Sequence, residues 1–295
     1  MPTGELAALA TALCWAATSL LFAEAARRIG ALRVNLLRLP VALLLLSLAL
    51  LTIDQPLAPV TWLRWLFLAV SAVVGLLLGD LALLAALRRL GARLTSLLMS
   101  LAPVVATLAG WLLLGELPSG RRAGLGIAMT LAGVAWVAAE RATPRERVEN
   151  RLGGIALAVL AATCQGVGLV LAKLGMGGEV APLAATWVRI GVATVLLWLL
   201  TAASRRLRRG EIAGAARRAW RQVVGGAFFG PFLGVWLSLA AVALTDVGVA
   251  ATLMATSPVL VIPLVMVLEG YRPTLRAVIG TLLAVAGVAL LFSRG

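Results

Sequence analysis

Residues 97–116 have the sequence LLMSLAPVVATLAGWLLLGE, and residues 252–270 have the sequence TLMATSPVLVIPLVMVLEG. Each stretch places a methionine four residues before a proline, continues with an apolar run and has one glutamate at or near its end. Two similar stretches about half a chain apart predict an internal repeat. The fold of one half should therefore recur in the other half.

The composition is typical of a protein that lies in a lipid bilayer. Hydrophobic residues make up 62% and charged residues 13% of the chain, and the mean hydropathy is +1.03. The net charge of +14 does not indicate nucleic acid, because the arginines lie in short loops between apolar segments. Cys14 and Cys164 both fall within apolar runs, so neither a disulfide framework nor a metal site is predicted, and no cofactor is expected.

Ten apolar segments are long enough to cross a membrane, since a spanning helix needs roughly 20 mostly apolar residues. Runs of this length without two-residue alternation are typical of helices rather than barrel strands, so the predicted fold class is all-α. The first segment is predicted to be a permanent span, because no basic residue precedes it as in a signal peptide. The predicted spans are residues 5–23, 34–53, 63–86, 95–115, 123–139, 153–172, 183–202, 222–244, 248–268 and 276–292.

Arginine is unevenly distributed between the loops on the two sides of these spans. Loops that follow odd-numbered spans contain 19 of the 26 cationic residues. Short cytoplasmic loops collect Lys and Arg. With ten spans, the distribution predicts that both termini lie outside the cytoplasm.

The two halves of the chain, residues 1–147 and 148–295, align along their length as two five-helix units. GELAALATALCWA at 4–16, for example, aligns with GIALAVLAATCQG at 154–166. Because five is odd, the second unit must enter the membrane in the opposite direction from the first. Inverted repeats of this kind are typical of secondary transporters. The aligned pairs are Cys14 with Cys164, Arg38 with Arg189, Met99 with Met254, Pro103 with Pro258, Gly126 with Gly280 and Gly133 with Gly287.

The segments LLLGE at 112–116 and GLGIAMTLAGVAWV at 124–137 resemble the EamA family of the drug/metabolite transporter superfamily. The second copy departs from the family pattern, with VLEGYRP at 267–273 where LGE and a short polar turn are usual. The resemblance implies two EamA units, ten helices and a transporter of small metabolites in the cytoplasmic membrane, often an exporter. It also implies cytoplasmic termini, which is opposite to the orientation that the arginines predict.

Three charged side chains are predicted to lie within the spans: Arg38, Asp80 and Arg189. A charge at the centre of a membrane helix costs about 2.5–3.5 kcal/mol, so such residues usually face a partner or a cavity. The two arginines are predicted either to extend to the headgroups or pair, or to lie near opposite mouths and attract an anionic or zwitterionic substrate. Asp80 is predicted to pair with Arg38 as an inner gate, to exchange a proton during transport, or to be a surface residue if the span ends before it.

Polar and aromatic side chains are candidates for lining a cavity. Trp15, Thr18 and Ser19 belong to the first helix of the first repeat, and Gln165 to the first helix of the second. Trp15 and Gln165 occupy matching positions, which would suit an asymmetric substrate. Trp236 is a weaker candidate, since tryptophan also populates membrane interfaces.

Prolines predict breaks in three helices, because proline removes a helical hydrogen bond. They are Pro103, Pro258 and Pro231, the last within GGAFFGPFLG at 225–234. Backbone groups freed at such breaks can contact a ligand or form a hinge. The glycines of GIAMTLAG and GTLLAVAG are predicted instead to let helices pack closely, Glu116 and Glu269 to fix turns, and the arginine-rich loop at 205–221 to contact anionic lipid.

The sequence therefore predicts a secondary transporter and exporter of a small metabolite, such as an amino acid or a related amphipathic or zwitterionic compound. Transport would proceed by alternating access around a central cavity between the repeats. An enzyme is not expected, since the chain has no histidine and no HExxH motif. A translocase of lipids or lipid-linked headgroups and a non-transporting assembly subunit stay open as alternatives. The expected partners are a small-molecule substrate and membrane lipids but no nucleic acid, with proton coupling and a monomeric or homodimeric state left open.

Overall fold

The computed structural model of the chain describes residues 3–53, 61–114, 125–126, 128–133, 136, 151–203, 209–244, 250, 253–269 and 274–292. Helices dominate these ranges, and two π-helical segments, Ala72–Gly79 and Phe228–Gly234, interrupt them. In chain order the α-helices are α1 (Thr3–Ile29), α2 (Ala31–Ile53), α3 (Trp62–Ser71), α4 (Asp80–Met99), α5 (Ala102–Leu114), α6 (Arg151–Met176), α7 (Pro182–Ala203), α8 (Arg209–Ala227), α9 (Val235–Leu244), α10 (Ser257–Glu269) and α11 (Leu275–Phe292).

Among the described residues, seven helical segments are long and apolar enough to cross a membrane, and they match predicted spans one to four and six to eight. The third and eighth are longer than predicted, at Trp62–Ala92 and Ile212–Leu244. α10 and α11 lie at the predicted ninth and tenth spans, whereas eight of the 17 residues of the predicted fifth span lie outside the described residues, as does Glu116. The all-helical membrane fold is confirmed; membrane orientation stays a prediction.

The third helix of each repeat contains a π-helical segment at the same place. Ala72–Gly79 joins α3 to α4, and Phe228–Gly234 joins α8 to α9. In a π-helix the carbonyl of residue i accepts from residue i+5, so the turn is wider than in an α-helix, and such turns are frequent at functional sites. The two π-helical segments therefore occupy equivalent positions in the two repeats. In neither repeat is the third helix α-helical throughout.

Glycines in the π-helical segments let the first helix of the other repeat cross at close range. A Cβ atom at Gly230 would lie 2.8 Å from Cγ2 of Thr18 in α1, and one at Gly79 would lie 2.9 Å from Cβ of Cys164 in α6. Each first helix thus packs on the third helix of the opposite repeat. This reciprocal exchange is what an inverted repeat predicts.

The methionine–proline motif marks an interruption of the fourth helix in each repeat. α4 ends at Met99 and α5 begins at Ala102, while in the second repeat the helix is interrupted at residues 255–256, before α10 begins at Ser257. In a continuous helix the N–H of residue 103 would donate to the carbonyl of Met99, but proline has no N–H. The motif therefore encodes the end of one helix and the start of the next.

Pro103 and Pro258 are each the second residue of the helix that follows the interruption. In the first turn of a helix an N–H has no intrahelical partner, so proline fits there without loss. The two prolines therefore begin α5 and α10 rather than bend them. For Pro258 the structure describes the backbone only.

Gly91, at a φ of 77°, turns the chain between the third and fourth spans inside α4. Left-handed backbone of this kind is easily adopted only by glycine. α4 therefore belongs to two spans, with Asp80 near its start in the third and Met99 at its end in the fourth.

The fifth helices of the two repeats pack at very short range through glycines. A Cβ at Gly133 would lie 2.6 Å from the backbone N of Ala284, and a Cβ at Gly287 would lie 2.5 Å from the backbone N of Thr130. The Thr130 hydroxyl also donates across this contact to the carbonyl of Ala284, at 3.3 Å. Close packing by these glycines, as the sequence predicts, is confirmed.

Candidate functional site

The three charged residues predicted within the spans are all buried. Arg38 in α2, Asp80 in α4 and Arg189 in α7 expose only 3%, 5% and 4% of their surface. Arg38 forms an ion pair with Asp80 through Nη2 and Oδ2, and its Nε donates to Oδ1 of Asn35 at 2.8 Å. The predicted pairing is therefore present, and Arg38 does not extend to the headgroups.

Arg38 is also held by an aromatic ring that was not predicted as part of the site. Its guanidinium carbon lies 4.9 Å from the centroid of Phe22 in α1, and a desolvated cation–π contact contributes about 2 kcal/mol. Asn35 was missed as well, although it lies three residues before Arg38 and so on the same face of α2. That spacing is a signal for Asn35, whereas no sequence signal connects Phe22 with Arg38.

Arg189 is the less completely paired of the two arginines. It interacts electrostatically with Asp80, but its Nε has no hydrogen-bond partner among the described residues. Its Nη2 approaches the first π-helical segment, since a Cβ at Gly75 would lie 3.3 Å from it. Asp80 thus pairs with Arg38 and attracts the buried guanidinium of Arg189 electrostatically, and the cluster of Arg38, Asp80 and Arg189 carries a formal charge of about +1 when each group is ionised.

The two arginines do not lie near opposite mouths of the protein, so that expectation is wrong. Both interact electrostatically with Asp80. Equivalent residues of an inverted repeat are related by a pseudo-two-fold axis, and they meet when they lie close to it. The distance of a residue from that axis cannot be deduced from spacing along the chain.

Trp15 and Gln165 lie beside equivalent π-helical segments. A Cβ at Gly234 would be 2.9 Å from Nε1 of Trp15, and a Cβ at Gly75 would be 3.7 Å from Oε1 of Gln165. Gln165 and Arg189 therefore flank the same glycine, which brings Gln165 to the charge cluster. Trp15 instead packs beside the apolar cluster of Ala8, Ala241, Val242, Ala250 and Met254.

The two hydroxyls predicted in α1 differ in their bonding. Ser19 donates to the carbonyl of Ala16 at 2.8 Å, so its own helix satisfies it. Oγ1 of Thr18 and Nδ2 of Asn35 are buried with no partner within the described part of the chain. A buried polar atom without a partner costs about 1–3 kcal/mol, so these atoms are candidates to bind a ligand.

Pro231 and Trp236 lie along the third helix of the second repeat. Pro231 is buried within Phe228–Gly234. The Trp236 ring lies 6.0 Å, between centroids, from Phe232, and both aromatic residues pack on the apolar cluster formed by α2 and α7. These side chains support the walls around the charged groups rather than add polar contacts.

The arrangement can bind charged and hydrogen-bonding groups. Guanidinium groups recognise carboxylates in a planar, two-bond geometry, and a carboxylate accepts an ammonium group. Among the residues that the structure describes, no three His, Cys, Asp or Glu side chains come together as metal ligands.

Two repeats whose first helices each pack on the third helix of the other, around a buried charge cluster, are an arrangement typical of membrane transporters. The profile of the EamA-like transporter family matches residues 2–139 and 152–293. The chain belongs to the EamA-like transporter family and is a multi-pass membrane protein. The family resemblance stated from the motifs is therefore confirmed.

The fold also occurs among solved structures. One, described only as "Crystal structure of protein", has a TM-score of 0.68 and 19% sequence identity, over 98% of this chain and 96% of that chain. At this identity the likeness establishes the fold alone. A search of curated proteins found no significant match.

Proposed function

We propose that this EamA-family transporter exports a small zwitterionic metabolite, such as an amino acid, across the cytoplasmic membrane. The supporting observation is the buried cluster, in which Asp80 pairs with Arg38 and attracts Arg189 electrostatically. A net positive cluster favours an additional anionic group, because an uncompensated charge is costly at low dielectric. A substrate carboxylate would lie against the excess positive charge of the arginines, although the complex with a zwitterion keeps the formal charge of about +1.

In this proposal Arg189 binds the substrate carboxylate, since its Nε is buried and has no partner in the described part of the chain. Asp80 accepts the substrate ammonium group while it keeps its ion pair with Arg38. Gln165, whose Oε1 would lie 3.7 Å from a Cβ at Gly75, contacts the remainder of the substrate. Trp15, Thr18 and Trp236 line the path, and Ser19 stabilises α1.

Alternating access is supported by the position of the distorted helices. α1 and α6 each cross a π-helical segment of the opposite repeat at Gly230 and Gly79, and the fourth helices are interrupted beside them. Packed surfaces with two arrangements allow one bundle to rock against the other. The interruptions before Pro103 and Pro258 would be the hinges, and the cluster would open alternately to each side.

The proposal is tested in liposomes that contain the purified protein and a labelled panel of neutral amino acids, acidic amino acids and organic cations. We expect counterflow of a zwitterion. Arg189→Gln should raise its KM by roughly ten- to a hundredfold, because a hydrogen bond to a charged group contributes about 1.5–3 kcal/mol. Arg88→Gln removes an exposed arginine and is the matched control.

An unchanged KM in Arg189→Gln, or an equal rise in Arg88→Gln, would contradict the assignment of Arg189. Transport of organic cations in preference to zwitterions would contradict the substrate class. The direction is measured separately, by comparing flux in vesicles of known protein orientation. Flux inward under every physiological gradient would contradict export.

Proton exchange at Asp80 is a second candidate, which the burial of its carboxylate favours. A substrate that displaces Arg38 from Asp80 would leave a buried carboxylate, and burial favours its protonated form. We expect Asp80→Asn to lower flux driven by a proton gradient more than it lowers substrate exchange without a gradient. Undiminished gradient-driven flux in Asp80→Asn would exclude proton coupling at this residue.

A further inference from the structure

We infer that the N-terminal part of α8, residues 209–221, binds the headgroup of an anionic phospholipid at the membrane surface. One face of this segment packs on the protein: Ala215 and Ala219 are buried in an apolar cluster with residues of α1. The opposite face exposes Arg217, Arg218 and Arg221. The segment is therefore amphipathic, and its cationic side is exposed, with Nε of Arg218 donating to the carbonyl of Gly214 at 3.2 Å.

The length of the spanning segment places these arginines at the membrane surface. Ile212–Leu244 has 33 residues, which corresponds to about 50 Å of helix, whereas the hydrocarbon core needs about 20 residues. The excess must lie at or beyond the headgroups, and the arginines identify the N-terminal end as the excess. At Ala219 the backbone leaves helical geometry, with φ −137° and ψ 21°, so the cationic segment departs from the axis of the span.

An exposed apolar stripe continues from the arginines toward the membrane interior. Trp220, Val224 and Phe228 follow one another at four-residue intervals on one helical face, and all three are exposed. Arg221 lies over the Trp220 ring, with Cζ 5.5 Å from its centroid. Tryptophan favours the headgroup level of a bilayer, so the cationic region ends where an acyl chain would begin.

This order of groups is complementary to a phospholipid rather than to a soluble anion. The phosphate would contact Arg217, Arg218 and Arg221, because arginine bonds phosphate oxygens in a two-bond geometry. The acyl chain would follow Trp220, Val224 and Phe228. A nucleic acid or an acidic peptide would use the arginines but would leave the apolar stripe unused.

The test is a titration of the full-length protein in neutral detergent with short-chain phosphatidylglycerol, and with phosphatidylcholine of the same chain length. Native mass spectrometry gives the Kd for each lipid. We expect tighter binding of phosphatidylglycerol, and a loss of roughly 25-fold in Arg217→Gln/Arg218→Gln, about five-fold for each arginine. Arg221→Gln is a milder second variant, with a loss of about five-fold.

Arg88→Gln/Arg89→Gln is the matched control, because it removes two exposed arginines from another helix, α4, and changes the net charge equally. We expect less than a two-fold change in its Kd, roughly the effect of distant charge alone. An equal loss in this control, or an unchanged Kd in Arg217→Gln/Arg218→Gln, would overturn the inference. All variants are compared with the wild type by size-exclusion chromatography and thermal unfolding.

Val224→Gln separates a lipid from a free anion. It should weaken the binding of phosphatidylglycerol and of phosphatidylcholine to a similar extent, because it changes the apolar stripe and not the arginines. If Val224→Gln has no effect while inorganic phosphate displaces phosphatidylglycerol, the arginines bind a soluble anion and the inference fails. No transport is measured in this assay, so its outcome does not depend on the proposed substrate.

Discussion

Asp80 interacts with both Arg38 and Arg189, and the repeat supplies this carboxylate only once. Asp80 is the first residue after Ala72–Gly79, and the residue after Phe228–Gly234 is Val235. The equivalent arginines thus depend on one asymmetric counterion. Replacing it leaves two buried guanidinium groups without a carboxylate, and breaking a buried pair costs about 3–5 kcal/mol.

Asp80→Asn should therefore lower the free energy of unfolding by about 3–5 kcal/mol. The double variant Arg38→Gln/Asp80→Asn should lose less free energy of unfolding than Asp80→Asn alone, because one of the uncompensated charges is removed as well. Thermal unfolding of the detergent-solubilised variants measures both effects. A double variant as unstable as the sum of the two single variants would show that Arg38 and Asp80 contribute independently.

At the scale of the residue, burial energetics allowed part of the site to be predicted. The cost of a charge in a membrane helix identified Arg38, Asp80 and Arg189 before any fold was known. The contact of Phe22 with Arg38 and the approach of Arg189 to Asp80 could not be deduced. Both interactions depend on how the helices are placed around the pseudo-two-fold axis, and short sequence patterns do not predict that placement.

At the scale of the element, glycines determine how closely the helices approach. Backbone atoms surround the missing Cβ of Gly133, with the N of Ala284 and the O of Gly280 both 2.6 Å away. A side chain can rotate away from a new methyl group, but a helix backbone cannot without moving the whole helix. Gly191 in α7 is different, because the nearest atom to its missing Cβ is 3.8 Å away.

We predict that Gly133→Ala lowers the free energy of unfolding by about 1–3 kcal/mol through overpacking. Gly191→Ala is the matched control and should be neutral or stabilise by about 0.4–1 kcal/mol, since alanine restricts the unfolded chain. Thermal unfolding of both variants decides the matter. Equal melting temperatures for Gly133→Ala and Gly191→Ala would contradict this prediction. They would show that the fifth helices accommodate the new methyl group without a loss of stability.

Hydropathy predicted which segments cross the bilayer, but it did not predict where the helices end. The first span was predicted at 5–23, whereas α1 extends over Thr3–Ile29. Its last turns contain Glu24, Arg27 and Arg28, and Glu24 forms an ion pair with each arginine. Such i, i+3 and i, i+4 pairs continue a helix into water. Hydropathy therefore locates the edge of the lipid rather than the end of the helix.

The π-helical segments illustrate a second limit of local patterns. GGAFFGPFLG predicted a distortion of the eighth helix, because it contains glycines and Pro231. The first π-helical segment, Ala72–Gly79, contains no proline, and no distortion was predicted there. Its wide turn coincides with the close crossing of α6 at Gly75 and Gly79, which indicates that tertiary packing favours it.

At the scale of the whole molecule, the two repeats are interlocked rather than placed side by side. α1 packs on the third helix of the second repeat, and α6 packs on the third helix of the first. The charged cluster joins α2, α4 and α7 from both repeats, so a movement of one repeat changes the surroundings of Asp80 directly. The packing of the two repeats and the environment of the charged cluster are therefore coupled.

The repeats are also joined at the membrane surface by an exposed ion pair. Arg64, near the start of α3, pairs with Glu179 in the turn between α6 and α7, with Nη2 of Arg64 2.8 Å from Oε1 of Glu179. Gly177, at a φ of 50°, forms part of this turn, and a Cβ there would lie 3.2 Å from the Arg64 guanidinium. Hydrogen bonds from Arg64 lower the pKa of Glu179 below its ordinary value.

The sign of the pH dependence follows from this lowered pKa. Glu179 holds its proton less tightly in the folded protein than in the unfolded chain, so the pair stabilises the fold above the ordinary glutamate pKa. That contribution is lost as the pH falls through the lowered pKa of the folded state. Glu179→Gln should therefore decrease the melting temperature slightly at pH 7, since exposed pairs contribute little. The difference from the wild type should vanish below the lowered pKa and shrink in high salt. A difference that persists in acid and in salt would show that Glu179 joins the repeats by packing and not by charge.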